Sequence, residues 1–171
     1  SQNILTVEDP VEYTLEGVGQ TQVNSKTGYT FAQGLRAILR QDPDVVMVGE
    51  MRDIETAQIG IQASLTGHLV LSTVHTNSAI AAITRLRDMG IESFLLASSL
   101  RTIISQRLVR RLCLNCSYEE EVTNEVSKLF NLKSNQKIRN SKGCNQCSHT
   151  GYQGRIAIAE CIQVDKELKE M

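Results

Sequence analysis

The sequence predicts an α/β fold in which helices flank a mostly parallel sheet, followed by a small subdomain with four cysteines. Three short runs are almost continuously apolar, at Ile4–Val7, Val45–Val48 and Leu69–Val74, and strands of this kind are buried on both faces. Helical patterns separate the runs, and this alternation is typical of βαβ units. Two Cys-x-x-Cys pairs follow and mark a change in the character of the chain.

Charge and hydropathy narrow the classes of function. The 171 residues carry 18 basic and 19 acidic side chains, a formal net charge of -1, so there is no positive field for a polyanion and nucleic acid is not an expected partner. No run approaches the roughly 18 apolar residues of a membrane helix. The N-terminus also lacks the regions of a signal peptide. We therefore expect a cytosolic protein.

Four segments have the apolar periodicity or the end signals of helices. They are the stripe of Phe31, Leu35, Ile38 and Leu39, and the ranges Ile54–Leu65, Ser78–Met89 and Ser93–Leu112. Gly90 follows the third segment and is predicted to cap it. The fourth segment ends in a basic cluster of Arg107, Arg110 and Arg111.

The composition becomes polar at Cys113 and remains so to Gly154, with one helix-like insert at residues 122–132. Arg155–Val164 then has the pattern of a further strand, and a charged helix begins after it. We predict three regions: residues 1–112 are the back part of the α/β core, 113–154 are the four-cysteine subdomain, and 155–171 return to the core. Both ends have the pattern of interrupted elements, so the sequence predicts a fragment.

Two of the predicted strands end in carboxylates. Glu8, Asp9 and Glu12 follow the first apolar run, and Glu50 follows the second through a glycine. Ligands bind at the carboxyl edge of parallel sheets, and ionised carboxylates there need a cation or a donor. The pattern favours a magnesium-nucleotide site in which Glu50 orients or deprotonates the attacking water or holds magnesium through its water shell. For the first group, a turn with solvated acids is the alternative.

Two histidines frame the third apolar run. His75 lies at the carboxyl edge beside Thr73 and is placed to sense a γ-phosphate, whereas His68 begins the strand and is either structural or in reach of a neighbour. Their separation of seven residues directs the rings to opposite faces of a regular strand, so they are not one pair of ligands. The alternative is that both are hydrogen-bonded histidines near the core.

Arginines in the core are candidate phosphate clamps, in cis or in trans. Arg40 and Arg52 are preferred because Arg40 precedes the Asp42-Pro43-Asp44 turn and Arg52 lies two residues beyond Glu50. The alternative is that they are solvated, as most arginines on amphipathic helices are. The predicted cofactor-binding residues are thus Asp9, Arg40, Arg52, His68 and Thr73.

The cysteines form two close pairs, Cys113 with Cys116 and Cys144 with Cys147. In a reducing compartment such pairs indicate metal ligands before disulfides. Four thiolates give tetrahedral zinc coordination that leaves no open position for catalysis. The alternatives are a redox pair or four unrelated core thiols. Cys161 stands alone in an apolar run and is predicted to be buried as a small hydrophobic residue.

Several segments resemble motifs of the type II/IV secretion-system ATPases. Asn3–Tyr13 is similar to the family's Asp box, Leu35–Glu50 to its Walker B region and Thr66–Asn77 to its His box. Gln106–Cys113 with the two cysteine pairs, and Thr150–Arg155, resemble the assembly branch, which comprises the type II secretion ATPase and the type IV pilus extension ATPase. The resemblance implies a RecA-like P-loop NTPase core with a tetracysteine zinc-binding subdomain.

The resemblance also implies roles, cofactors and partners. Glu50 polarises the attacking water or holds magnesium, Glu8 and Glu12 support the metal and its water shell, and His75 senses the γ-phosphate. ATP, Mg²⁺ and Zn²⁺ are the implied cofactors. The implied assembly is a homo-hexamer at the cytoplasmic face of the inner membrane, which works with a membrane platform protein and a cytoplasmic membrane-anchoring subunit to drive pilin or pseudopilin assembly.

Family members carry a Gly-x-x-x-x-Gly-Lys-Ser/Thr loop upstream of the Asp box, and these 171 residues contain none. We expect that the chain begins after this loop and binds ATP poorly by itself. The alternative function is a zinc-stabilised adaptor that only scaffolds contacts. A zinc-ribbon nucleic-acid factor is disfavoured, because three Phe and four Tyr offer few stacking aromatics and there is no net positive charge.

Overall fold

A parallel sheet of four short strands organises the first part of the chain. The strands are β1 (Ile4–Glu8), β2 (Val18–Gln22), β3 (Val45–Val48) and β4 (Leu69–Ser72). The computed structural model describes residues 2–133 and 136–170. In the sheet, the strands lie in the order β2-β1-β3-β4. All three neighbouring pairs run parallel, so the predicted mostly parallel sheet is confirmed and the carboxyl ends of β1, β3 and β4 share one edge.

One face of the sheet packs against α1 (Phe31–Ile38), whose first turn is capped by the Thr30 hydroxyl. The predicted apolar stripe of this helix is confirmed. The core on this face comprises Leu5, Val7, Phe31, Leu35, Ile38, Val46 and Val48. A Cβ on Gly34 would lie 2.8 Å from Cγ1 of Val7, so glycine permits the close approach of α1 to β1.

Leu35 lies at the centre of this core with no exposed surface. Replacing Leu35 with alanine is expected to lower the free energy of unfolding by about 2–5 kcal/mol, because both apolar burial and packing contacts are lost. Urea denaturation followed by circular dichroism measures the change. Leu15→Ala is the matched control, since Leu15 is 54% exposed and its truncation should change stability by under about 0.5 kcal/mol. Equal losses from the two substitutions would contradict this core.

Three further helices form a second cluster. They are α2 (Ile54–Leu65), α3 (Ala79–Asp88) and α4 (Ser93–Ser99), and the cluster contains Ala57, Ile61, Leu86, Ile91 and Leu96. Asp53 caps α2 by accepting from Thr56 N at 2.8 Å, and Ser78 caps α3. Gly90, which follows the C-cap residue Met89 of α3, has φ of 97°, and this left-handed backbone confirms the predicted glycine at the end of the helix.

The chain divides into two compact units. One contains the residues up to Ser105 and those from Glu160 onward, and the other is Gln106–Ala159. In the second unit an antiparallel pair is formed by β6 (Ser117–Glu121) and β7 (Lys137–Ser141), and the predicted insert contains a short helix, α5 (Asn124–Phe130). A separate two-stranded sheet consists of β5 (Thr102–Leu112) and β8 (Tyr152–Gln163), and α6 (Lys166–Glu170) follows. None of the described helices is both long and apolar enough to cross a membrane.

The prediction of a helix over Ser93–Leu112 is wrong in its second half. The helix ends at Ser99, Leu100 has an extended backbone with ψ of 133°, and β5 begins at Thr102. Thr102, Ile103 and Ile104 are β-branched, which favours extended backbone. The pairing of β5 with β8 supplies the hydrogen bonds that a helix would have made.

Burial differs from expectation at β4 and at Cys161. Leu69 and Leu71 on β4, the edge strand of the described sheet, are 53% and 49% exposed. The prediction that this strand is buried on both faces is therefore wrong for this chain. Cys161 is exposed rather than buried, because β8 belongs to a sheet of only two strands.

Candidate active site and metal centre

The carboxyl ends of β1, β3 and β4 are held together beyond the strands themselves. Gly49 N donates to Val7 O at 2.8 Å, and Met51 N donates to Thr73 O at 3.0 Å. The Thr73 hydroxyl donates to Gly49 O at 2.6 Å. The backbone on both sides of Glu50 is therefore bonded to each neighbouring strand, which fixes where this carboxylate emerges from the sheet.

Glu50 lies between two basic side chains. Its Oε1 is 3.0 Å from Nε2 of His75, and its Oε2 accepts a hydrogen bond from Nε of Arg52. The Glu50 side chain is only 13% exposed, whereas those of His75 and Arg52 are 83% and 57% exposed. The carboxylate is thus fixed at the base of the cluster, while its two basic partners are largely exposed to solvent.

Arg52 links the ends of β1 and β3. Its Nη1 lies 3.9 Å from Oδ2 of Asp9, and its guanidinium carbon lies 6.0 Å from the ring centre of Phe31. The hydrogen bond that Arg52 donates to Glu50 raises the pKa of Arg52 above its ordinary value, so the guanidinium remains charged. The structure therefore brings Asp9, Glu50, Arg52 and His75 into one connected group.

Glu8 belongs to the same edge but has neutral partners. Its Oε1 accepts from the Thr6 hydroxyl at 2.5 Å and from Nε2 of Gln20 at 2.9 Å. A Cβ on Gly49 would lie 3.4 Å from Cα of Glu8. Because Gly49 is adjacent to Glu50 in the chain, the two carboxylate-bearing strand ends are direct neighbours.

Other predicted site residues are not in this group. Glu12 is exposed, and no hydrogen bond or ion pair joins its side chain to another described residue. Arg40 lies in a short 3-10 turn before β3, and His68 directly precedes β4, so both lie at the opposite edge from Glu50. Nδ1 of His68 is 2.9 Å from the backbone oxygen of Ala63, in the last turn of α2. The predicted proximity of Arg40 to the carboxylates of the site does not extend to Glu50 within this chain.

Sequence reasoning missed β2 and, with it, Gln20 and Gln22. Gln20 contacts Glu8, and Gln22 Oε1 accepts from Val11 N at 3.2 Å. A signal was present, because Val18, Gln20 and Gln22 recur at every second position of a five-residue segment between turn residues and so share one face of a strand. Gly19 lowers the β-propensity of the segment, so the pattern alone did not predict a strand.

The four paired cysteines meet in the second unit. The Sγ atoms of Cys113 and Cys144 are 3.9 Å apart, as are those of Cys116 and Cys147, and all four sulfurs lie within 4.8 Å of one another. Zinc bonded to four sulfurs at about 2.3 Å requires neighbouring sulfurs about 3.8 Å apart. The donor set and its spacing therefore fit tetrahedral zinc.

Hydrogen bonds to sulfur lower the pKa of two of these thiols, which favours the thiolate form that binds a metal cation. Nδ2 of Asn115 donates to Cys144 Sγ at 3.3 Å and lowers the pKa of that thiol to about 6. The N–H of Cys144 donates to Cys147 Sγ at 3.1 Å and lowers the pKa of Cys147. Burial raises the pKa of Cys116 to about 12, so this thiol needs a metal to lose its proton near neutral pH.

The family resemblance implied a parallel α/β sheet with carboxylates and a histidine at its carboxyl edge, and a tetracysteine unit later in the chain; the structure contains both. The whole chain, residues 1–171, matches the family described as Type II/IV secretion system protein. The chain belongs to this family.

Curated relatives cover almost the whole chain. Type II secretion system protein E of Aeromonas hydrophila is 61% identical over 171 residues, and Type II secretion system ATPase E of Vibrio cholerae is 59% identical over 172 residues. Each alignment includes 99% of this chain and 34% of the relative. The chain thus spans about a third of the length of these curated relatives.

Solved structures share the fold. The pilus retraction motor PilT with bound ADP has a TM-score of 0.68 and 32% identity, and the alignment covers 99% of this chain and 41% of PilT. The ATPase DotB of Legionella pneumophila has a TM-score of 0.65 at 23% identity, covering 99% of this chain and 38% of DotB. These likenesses confirm the predicted α/β fold, in which helices flank a mostly parallel sheet.

Proposed function

We propose that the chain is part of an ATP-hydrolysing motor that powers pseudopilin assembly in type II secretion. The observation that supports this most is the position of Glu50, fixed by its backbone at the carboxyl edge of a parallel sheet and flanked by His75 and Arg52. Family membership and the names of the relatives support the same function. Pilus extension is a close alternative, because the resemblance covers both members of the assembly branch.

In this proposal, Glu50 orients the attacking water or accepts its proton. A general base must lie at the reacting centre and be free of competing partners when it acts, so Arg52 and His75 would turn from Glu50 towards the phosphates. Arg52 is suited to that exchange because its guanidinium offers several donors and stays charged. Magnesium, when bound with ATP, offsets charge on the phosphate oxygens.

The remaining predicted residues have supporting roles in the proposal. Glu8 and Glu12 support the metal and its water shell, Asp9 holds Arg52, and Thr73 fixes the backbone beside Glu50. Arg40 and His68, at the opposite edge of the sheet, would contact nucleotide only across a subunit boundary. This arrangement agrees with a homo-hexamer in which neighbouring subunits complete each site.

The tetracysteine unit is proposed to hold a structural zinc ion. Four thiolates leave no position for a substrate, so the ion would stabilise residues 106–159 rather than take part in hydrolysis. The motor is proposed to act at the cytoplasmic face of the inner membrane, with a membrane platform protein and a cytoplasmic anchoring subunit as partners. Association with the membrane would then depend on these partners.

Phosphate release by a full-length protein that contains this chain tests the function. We expect hydrolysis of ATP that requires magnesium, and no measurable hydrolysis by the 171-residue chain alone, because it contains no Gly-x-x-x-x-Gly-Lys-Ser/Thr loop to bind the phosphates. Hydrolysis by the isolated chain at the rate of the full-length protein would contradict the proposed division of the site. A full-length protein without hydrolysis would contradict the function itself.

A further inference from the structure

We propose that Gln20 is a positioning residue for the nucleotide site and that it acts by orienting Glu8. This inference rests on the proposed function. Gln20 lies on β2 opposite Thr6 of β1, and Glu8 lies two residues farther along β1, so their side chains are on the same face of the sheet. Nε2 of Gln20 donates to Oε1 of Glu8 at 2.9 Å.

Both the nitrogen and the oxygen of the Gln20 side-chain amide form hydrogen bonds. Nε2 also donates to Tyr13 O at 3.0 Å, and Oε1 accepts from Leu15 N at 2.7 Å. Exchanging the amide oxygen and nitrogen would oppose like groups at all three contacts, so only one orientation fits. Gln20 is therefore held by the loop after β1 at the same time as it holds Glu8.

These hydrogen bonds hold the carboxylate of Glu8 in one orientation. Oε1 is occupied by two neutral donors, the Thr6 hydroxyl at 2.5 Å and the Gln20 amide at 2.9 Å. No hydrogen bond joins Oε2 of Glu8 to another described residue. One oxygen is anchored and the other is left for a ligand, which is how an outer partner orients a carboxylate that supports a metal or its water shell.

Gln22 is the comparison residue that distinguishes orientation of Glu8 from general support of the loop after β1. It lies on the same strand and face as Gln20 and bonds the same loop through Val11 N at 3.2 Å, but its amide has no hydrogen bond to Glu8. If Gln20 mattered only as a loop contact, replacing either glutamine would have similar effects. If it orients Glu8, only the replacement of Gln20 changes the dependence of hydrolysis on magnesium.

The test uses the full-length protein and measures ATP hydrolysis as Mg²⁺ is varied. We expect Gln20→Met, which keeps the length of the side chain, to raise the half-saturating Mg²⁺ concentration about tenfold, since loss of an outer partner commonly costs 10–100-fold. Thr6→Val removes the other donor to Glu8 and should shift it in the same direction. Gln22→Met should leave it unchanged.

Thermal unfolding of each variant accompanies the kinetics. A wild-type Mg²⁺ dependence in Gln20→Met overturns the inference, even if its melting temperature falls, and so does an equal shift in Gln22→Met. If Gln20→Met does not fold, Thr6→Val decides in the same way. Absence of hydrolysis in the unaltered full-length protein would instead refute the proposed function, and the inference with it.

Discussion

Replacing Glu50 with glutamine in the full-length protein is expected to reduce the turnover of ATP by at least about 100-fold, the contribution typical of a positioned general base. The amide keeps the shape of the side chain but cannot accept a proton, and it removes the negative charge that faces Arg52 and His75. ATP binding should persist, because the substitution does not remove phosphate-binding donors. Phosphate release and binding of a fluorescent ATP analogue measure the two effects separately.

Glu55→Gln is the matched control for this substitution. Glu55 forms an ion pair with Arg36 at 2.8 Å, but both side chains are more than half exposed, and such surface pairs contribute about 0–1 kcal/mol. Its turnover should equal that of the unaltered protein. Near-normal hydrolysis by Glu50→Gln would contradict the proposed role of Glu50 as the group that orients or deprotonates the attacking water.

Replacing Cys144 with serine is expected to remove the metal and unfold residues 106–159 while the four-stranded parallel sheet persists. Metal binding at structural zinc sites contributes on the order of 10–16 kcal/mol, which is comparable with the total stability of a domain, about 5–15 kcal/mol. The cysteines of the site lie in a unit that packs separately from the sheet, so the loss should be local. Zinc analysis and limited proteolysis measure content and unfolding.

Cys161→Ser is the control for the cysteine substitution. Cys161 is exposed and lies outside the tetracysteine cluster, so this variant should retain one zinc ion per chain and the proteolytic pattern of the unaltered protein. Correctly folded, reduced protein without zinc would contradict the proposed metal centre. Unfolding of the parallel sheet in Cys144→Ser would contradict the separate stability of the two units.

Features that depend on local pattern could be predicted from the sequence. The apolar runs at β1 and β3 have no strong competing pattern, and they identified two strands and the carboxylates at their ends. The spacing of the four cysteines identified a cluster whose sulfurs are brought together by the fold. Gly90 could be predicted as a helix cap because a positive φ strongly favours glycine.

Features that depend on distant partners could not be predicted. Thr102–Leu112 is a strand because it pairs with β8, some fifty residues later, whereas its local pattern also suited a helix. The contact of Gln20 with Glu8 required the pairing of β2 with β1. Arg40 and Glu50 are ten residues apart in sequence, but the intervening strand separates them to opposite edges of the sheet.

The most direct test of the proposed site is an experimental structure of the full-length protein with magnesium and a non-hydrolysable ATP analogue. We predict that the γ-phosphate lies at the carboxyl edge of the parallel sheet, that Glu50 faces the position of the attacking water, and that Arg52 or His75 has turned from Glu50 to the phosphate. A nucleotide bound away from this edge, with Glu50 still paired to both residues, would contradict the account.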